Sequence, residues 1–408
     1  MDIRVSVINI GNELLLGQTV NTNLSWLGQE LAAIGLPITR TIIIKDDETE
    51  IREAFDSCWQ NSEVVISSGG LGPTNDDITK AVIADFFSKV LEFREDVWSS
   101  VQTIFQRRGL EVPEINRNQA MVPEDFTAFI NRLGTAPGLY YQNGNKKFFA
   151  LPGVPIELKG LYKDYIKTIL QNDFKSQPVT IKTLHTWRIS ESALAEILPE
   201  DIIPPEVQLA WLPQTGRVDL RVYGSDKTKV LVTINKVKQL INQYIWGEDS
   251  DTPQSILHNL LPEKGMTLSA AESCTGGLVQ KLITDNAGSS AYFKGGMVSY
   301  SNEVKISLLG VKDNTLQQFG AVSEETALEM AEGVRKLTDS DWGISTTGIA
   351  GPDGGSSEKP VGTVCFGISG KADNYSYRTV FNGDRESIRF KASEYIILLL
   401  IEQLRRNL

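Results

Sequence analysis

The feature that most constrains the fold is a recurring rhythm, a β-rich run followed by an amphipathic helix. RVSVINI (residues 4–10) precedes NTNLSWLGQELAAIG (21–35), ITRTIIIKD (38–46) precedes ETEIREAFDSCWQN (48–61), and EVVISSGG (63–70) precedes TKAVIADFF (79–87). Such alternation predicts a parallel sheet covered by helices, because parallel neighbours need a crossover connection. Gly35 reads as the C-cap of the first helix. From about Ser255 the rhythm returns, through MTLSAAE, LVQKLITD, FKGGMVSY, NEVKISLLG and WGISTTGIAGPDGG. SEETALEMAEGVRKLTD is a longer helix with Ser323 as N-cap, VGTVCFGIS is a further strand, and RESIRFKASEYIILLLIEQLRRN closes the chain as a helix.

Between these regions the texture changes. Short β-rich pieces (VTIKTLHTWRI, VQLAWLP, VDLRVYG) surround the helix candidates ESALAEIL and KVLVTINKVKQLINQYI, and the proline-containing segments KSQP and GEDSDTPQS flank the stretch. The expected organisation is α/β. Two three-layer α/β domains, at 1–170 and 255–408, are joined by a small α+β domain at 172–251.

Composition narrows the function classes. Fifty-one acidic against 40 basic residues give a formal charge of -11, which argues against non-specific binding to nucleic acid or anionic membranes. Cys58, Cys274 and Cys365 are too far apart for a disulfide framework or a zinc site. The longest apolar run, YIILLLI (395–401), is too short to span a bilayer. With no signal-peptide pattern at the start, a cytoplasmic location is expected.

In SAAESCTGGLVQKL (269–282) a strand stops and a helix starts within a few residues. Ser273, Cys274 and Thr275 stand there together, and Gly276 and Gly277 would let a ligand approach the backbone. A helix N-terminus at this point would offer N–H donors to an oxyanion and would lower the pKa of a thiol. On this stretch alone Ser273 reads first as a plain N-cap. The chain has two histidines, His185 and His258, and neither is well placed as a base for this stretch. A lysine can replace histidine when burial lowers its pKa. Lys305 follows the strand that ends near Tyr300, and adjacent parallel strands bring their C-terminal ends to one edge, so Ser273, Tyr300 and Lys305 can converge. Thr347, Gly348 and the glycines after them form a donor-rich loop from a third strand, and Arg385 and Arg389 open the last helix, suited to a phosphate or carboxylate.

At the other end, Gly11, Asn12 and Glu13 follow the first strand, and GGLGPTNDDIT (69–79) follows the third. Gly69 and Gly70 offer backbone donors to phosphate, and Asp76 and Asp77 are hard oxygen ligands for Mg²⁺-like ions. Thr79 can cap the next helix or touch a ligand. Asp77 also reads as an N-cap, and Pro137-Gly138 and Pro152-Gly153 read as rigid turns.

AESCTGG, YSNEVK, TGIAGPDGG with EKPVGTV, and NGDR resemble the C-terminal domain of the CinA family, which also occurs alone as nicotinamide-nucleotide amidase. GNELLLGQTVNTN, SGGLGPTNDDIT, NQAMVP, GTAPG and LPGVP resemble that family's N-terminal, molybdopterin-binding-like domain. The resemblance implies hydrolysis of nicotinamide mononucleotide to nicotinate mononucleotide and ammonia, without a cofactor. It places the nucleophile on Ser273, its base on Lys305 with Tyr300 beside it, and substrate contacts on Thr275, Gly276, Thr347, Gly348 and Arg385. For the N-terminal domain it implies cleavage of the ADP-ribose pyrophosphate, dependent on a divalent metal (Mg, Co or Mn). Glu13, Asp76 and Asp77 are the metal candidates, and Gly11, Asn12, Gly69, Gly70 and Thr79 the nucleotide candidates. An N-terminal domain that binds a pterin or nucleotide without turnover is the alternative, as is a non-catalytic adaptor in competence or DNA damage. The middle region resembles a KH-like domain but has no GxxG loop between 172 and 251, so it reads as a spacer or dimerisation element. A homodimer, with no nucleic-acid or membrane partner, is the implied assembly.

Overall fold

The computed structural model describes residues 3–214 and 217–406. The chain divides into two compact units, one running to Thr180 and taking in Gly224–Lys227, the other formed by Ile181–Tyr223 and the chain from Thr228 onward.

In the first unit β1 (Val5–Ile10), β2 (Ile38–Ile44), β3 (Val64–Ser68), β6 (Thr127–Phe129), β7 (Gly138–Asn143) and β8 (Lys146–Leu151) form one sheet in the order β2-β1-β3-β8-β7-β6. The short strands β4 (Leu91–Phe93) and β5 (Met121–Pro123) pair separately. Every residue of β1 and β3 is buried, as expected of strands covered on both faces. Alternation sorts their side chains. Ile8, Ile10, Val65 and Phe148 pack with Ile51, Phe55 and Ile83 on one face. Val5, Val7, Ile66 and Phe149 pack with Leu27, Leu31 and Tyr162 on the other. Helix Thr22–Ala33 has Ile34 as its C-cap, and Gly35, at φ +79°, follows one residue beyond it and turns the chain.

The sheet is mixed rather than wholly parallel. β2, β1, β3 and β8 run parallel, but β7 and β6 are antiparallel. The cause is local. Two residues, Gly144 and Asn145, separate β7 from β8, and Gly144 at φ +58° allows a hairpin in a stretch to which the pattern assigned no strands.

In the second unit the middle segment forms a sheet β10-β11-β9-β12 from β9 (Thr180–Thr186), β10 (Gln208–Gln214), β11 (Arg217–Gly224) and β12 (Ile245–Glu248). Helices Glu191–Ile197 and Lys227–Ile241 cover it through Leu194, Val230, Ile234 and Val237. The C-terminal sheet, β14-β13-β15-β16-β17, comprises β13 (Leu268–Glu272), β14 (Phe293–Val298), β15 (Trp342–Gly348), β16 (Thr363–Ser369) and β17 (Asn374–Val380). Its first three strands are parallel and its last two antiparallel, again a mixture. β17 was not anticipated, because NYSYRTV is polar and only partly buried.

Helices Asn302–Leu309 and Glu324–Thr338 pack on one face through Leu309, Met330 and Val334. Helices Pro253–Glu263, Leu278–Thr284 and Arg385–Arg406 pack on the other through Leu257, Ile283, Ile396 and Leu400. The middle segment shares this unit: Arg217 pairs with Glu394 at 3.0 Å, Arg188 with Glu402 at 2.9 Å, and Trp187 meets Tyr395 edge-on. Among the described residues no helix is long and apolar enough to cross a membrane.

Candidate active sites

β13 and β14 are adjacent and parallel, so the residues after them leave the sheet on one side. Ser273 follows β13 directly. Lys305 lies one turn into the helix after β14, whose start is capped by the Ser301 side chain on the Val304 N–H. The Lys305 amine donates to Ser273 Oγ at 3.1 Å, to the Ser299 carbonyl at 2.8 Å and to the Tyr300 carbonyl at 3.3 Å. Lys305 is only 1% exposed. Burial pulls its pKa below the ordinary 10.5, against a weaker opposite pull from Cys274 and Glu303. A neutral amine has two N–H bonds and one lone pair. With the two carbonyls taking the N–H bonds, the lone pair is left for the Ser273 hydroxyl.

The rest of the expected cluster divides. Tyr300 contributes its carbonyl, while the residue is 63% exposed and its phenol oxygen accepts from Arg385 at 3.2 Å. Arg385 also holds the Gly351 carbonyl at 2.7 Å, and Arg389 holds the Thr275 carbonyl at 2.8 Å. The Thr275 hydroxyl is buried against that of Thr346, at 2.6 Å. Thr347 is buried and donates to the Ala321 carbonyl. A Cβ on Gly348 would stand 2.7 Å from the Thr363 carbonyl, so this glycine serves strand packing. Gly276 and Gly277 both have left-handed backbone, at φ +60° and +95°, which is where glycine is the default.

Two expectations about this turn are corrected. The helix begins only at Leu278, and its opening N–H groups point at the carboxylate of Glu272: Gly277 donates at 2.8 Å, Val279 at 3.1 Å and Gln280 at 2.9 Å. The helix end therefore does not serve Ser273. In its place the turn closed by Gly276 N–H on the Ser273 carbonyl, at 3.2 Å, leaves the N–H groups of Cys274 and Thr275 with no acceptor on another described residue. The Cys274 thiol is not lowered either. It sits in the core, and burial pushes its pKa up to about 12, which leaves it protonated and a weak rival to Ser273.

In the first unit the loops after β1, β3 and β8 surround a cavity of about 460 Å³, lined by Gly11, Glu13, Asp46, Gly69, Gly70, Asp76, Asp77 and Glu157 among others. Asp46 escaped sequence reasoning, standing just past β2. It accepts from the Asn12 N–H at 3.1 Å. Its pKa is raised, by burial first and then by the negative charges of Glu13, Asp77 and Asp76, with the Asn12 bond opposing. Asp77 is neither an N-cap nor a free ligand. It accepts from Gly72 N–H at 2.8 Å and from the N–H and hydroxyl of Thr74 at 3.1 and 2.5 Å, stapling the loop.

Asp76 is exposed at the cavity mouth. Thr79 opens the next helix without capping it. Its hydroxyl is buried beneath Gly70 without a partner among the described residues, and a Cβ on Gly70 would fall 2.1 Å from it. Lys80, also missed, is buried, donates to the Asn118 carbonyl at 2.6 Å and has its pKa pulled down to about 8 by burial. It ties the NQAMVP segment to this loop.

Among the described residues no three His, Cys, Asp or Glu side chains are grouped closely enough to hold an ion. Glu13, Asp46 and Asp76 nevertheless present hard oxygens to one cavity. That donor set fits an ion of the Mg²⁺ kind, which takes one or two carboxylates and completes its shell with water and phosphate.

Comparison with known proteins gives one consistent result. A model of the CinA C-terminal domain matches residues 250–404, one of the probable molybdopterin binding domain matches 6–172, and one of the damage-inducible protein CinA KH domain matches 181–247. A competence-damage inducible protein of Caldicellulosiruptor saccharolyticus is 38% identical over 95% of this chain and 96% of its own length. A second, from Caldanaerobacter subterraneus, is 39% identical over 96% of each. A CinA-like protein of Cytophaga hutchinsonii is 36% identical over the whole of this chain and 98% of its own.

Proposed function

This chain belongs to the CinA family, and from that premise we propose that its C-terminal domain is a serine–lysine amidase acting on nicotinamide mononucleotide. The observation that carries the reading is the buried Lys305 amine 3.1 Å from Ser273 Oγ, with a depressed pKa and no histidine involved. Ser273 Oγ attacks the carboxamide carbon as its proton passes to Lys305 Nζ. The carbonyl π bond becomes an oxyanion facing the N–H groups of Cys274 and Thr275. The C–N bond then breaks, and Lys305 returns the proton to the departing ammonia. A water, deprotonated by Lys305, attacks the acyl-serine ester; the C–O bond to Ser273 breaks, the serine takes back its proton, and nicotinate mononucleotide leaves. Arg385, exposed at the site edge, supplies charge for the substrate phosphate.

The N-terminal domain is proposed as an ADP-ribose pyrophosphatase. Glu13, Asp46 and Asp76 would hold a divalent ion, whose contribution is to neutralise the diphosphate. The Gly70 N–H is the loop donor left for the nucleotide, since the Gly69 N–H is taken by the Leu151 carbonyl at 3.0 Å and the Thr79 hydroxyl is buried beneath Gly70. A second reading, binding without turnover, draws support from Asp77, whose oxygens are already committed to its own loop.

Paired variants test the amidase. Ser273→Ala abolishes ammonia release from nicotinamide mononucleotide, while Cys274→Ala retains most of it. The opposite pattern would make the thiol the nucleophile.

A further inference from the structure

Glu272 is fully buried and ends β13, one residue before the nucleophile. Alternation along the strand turns the two side chains to opposite faces. Ser273 meets Lys305 on one side, and Glu272 reaches the start of helix Leu278–Thr284 on the other. A buried carboxylate is costly unless its charge is satisfied. Glu272 meets that condition with three backbone N–H groups, from Gly277, Val279 and Gln280, at 2.8 to 3.1 Å. These are donors that a helix start leaves open, and Gly277, as N-cap, has no side chain to satisfy them.

The bonds close a ring. It runs from the Glu272 backbone through the turn at 273–277 and back through the carboxylate. Ser273 and the N–H groups of Cys274 and Thr275, which have no acceptor on another described residue, all lie on that ring. We propose that Glu272 is a positioning residue for acyl transfer at Ser273. Its carboxylate fixes the turn so that the hydroxyl stays within reach of Lys305 and both N–H groups face the reacting carbonyl.

The proposal rests on the amidase reading and adds to it a residue that touches neither substrate nor base. Charge-assisted bonds to backbone N–H are strong, and the same bonds keep the Glu272 charge on the far side of the sheet from the developing oxyanion. In Glu272→Gln the volume is kept, but the amide NH₂ cannot accept, so at least one backbone donor faces another donor. The turn loosens, and a misplacement of this kind lowers kcat about ten- to hundred-fold. KM changes little, because Arg385 and the loop after β15 are intact. The pH profile keeps its shape, because Lys305 is untouched. Glu272→Asp keeps the charge with a shorter reach and falls between the two.

The experiment measures kcat, KM and pH profile for ammonia release from nicotinamide mononucleotide in wild type, Glu272→Asp and Glu272→Gln. Melting temperatures and the rate at which a fluorophosphonate labels Ser273 are recorded alongside. The expected result is a kcat ordered wild type, Asp, Gln, with steady KM, an unchanged pH profile and labelling that slows in the same order. If Glu272→Gln does not fold, Glu272→Asp carries the test: a reduced kcat at unchanged KM supports the role, and a wild-type kcat overturns it. A wild-type kcat in a folded Gln variant likewise overturns the positioning role and leaves the amidase standing. Absence of ammonia release from folded wild type sinks the amidase instead. The labelling rates then decide Glu272 alone, slower labelling in the variants upholding the role and equal labelling overturning it.

Discussion

A lysine removed from water is an expensive residue to keep, and at Lys305 that cost has a chemical use. Folding lowers its pKa below 10.5, so between the two values the unfolded chain binds more protons than the folded one. Stability therefore rises with pH through that window, and the buried amine costs most below it. The same shift governs activity. We expect kcat/KM for ammonia release to climb with pH along a single limb, with an apparent pKa below 10.5, and Lys305→Arg, which cannot deprotonate, to fall to background at every pH. A profile flat from neutral to alkaline pH would count against Lys305 as the base. Ser273 and Lys305 were legible in the sequence because strand-then-helix spacing puts both at one sheet edge. The Tyr300 phenol was not, since spacing does not say whether a residue offers its side chain or its carbonyl. The Cys274 thiol was misread because its pKa is set by burial in the core, which spacing along the chain does not report.

Elements, rather than single residues, explain what escaped notice. The strands and helices with strong apolar periodicity were legible nearly to their ends; helix Glu48–Asn61 spans the expected residues. The hairpin β7–β8 and the edge strand β17 were not, because a two-residue turn and a polar edge carry little periodic signal. Asp46 was missed for a related reason: it joins Glu13 and Asp76 only once β1, β2 and β3 lie side by side. A divalent ion held by this loop cluster would have a thermodynamic signature. The raised Asp46 pKa means that the folded state binds more protons than the unfolded chain just above 3.8, so stability falls as pH rises through that window. A cation in the cavity reverses the effect. Millimolar Mg²⁺ or Mn²⁺ should raise the melting temperature of the wild type at neutral pH, and Asp46→Asn should melt higher than wild type without metal and gain less on adding it. An equal metal-induced shift in both proteins would remove Asp46 from the site.

At the scale of the whole molecule, the middle segment and the C-terminal sheet make one compact unit, which the linker-like segment before residue 255 did not foretell. Arg217 and Glu394, both largely buried, pair at 3.0 Å across it, and Arg217 also lies over the Trp246 ring. Removing one partner strands the other charge. Arg217→Met should therefore cost about 2 kcal/mol in denaturant unfolding, and the double change with Glu394→Leu should restore part of it. Additive losses would mean that the pair contributes nothing as a pair. The account as a whole turns on the chemistry at Ser273, and ammonia release from nicotinamide mononucleotide by the purified chain, with and without EDTA, tests it most directly. The account predicts release that survives EDTA in the wild type and vanishes in Ser273→Ala. No release from a folded wild type, or release that EDTA abolishes, would contradict it.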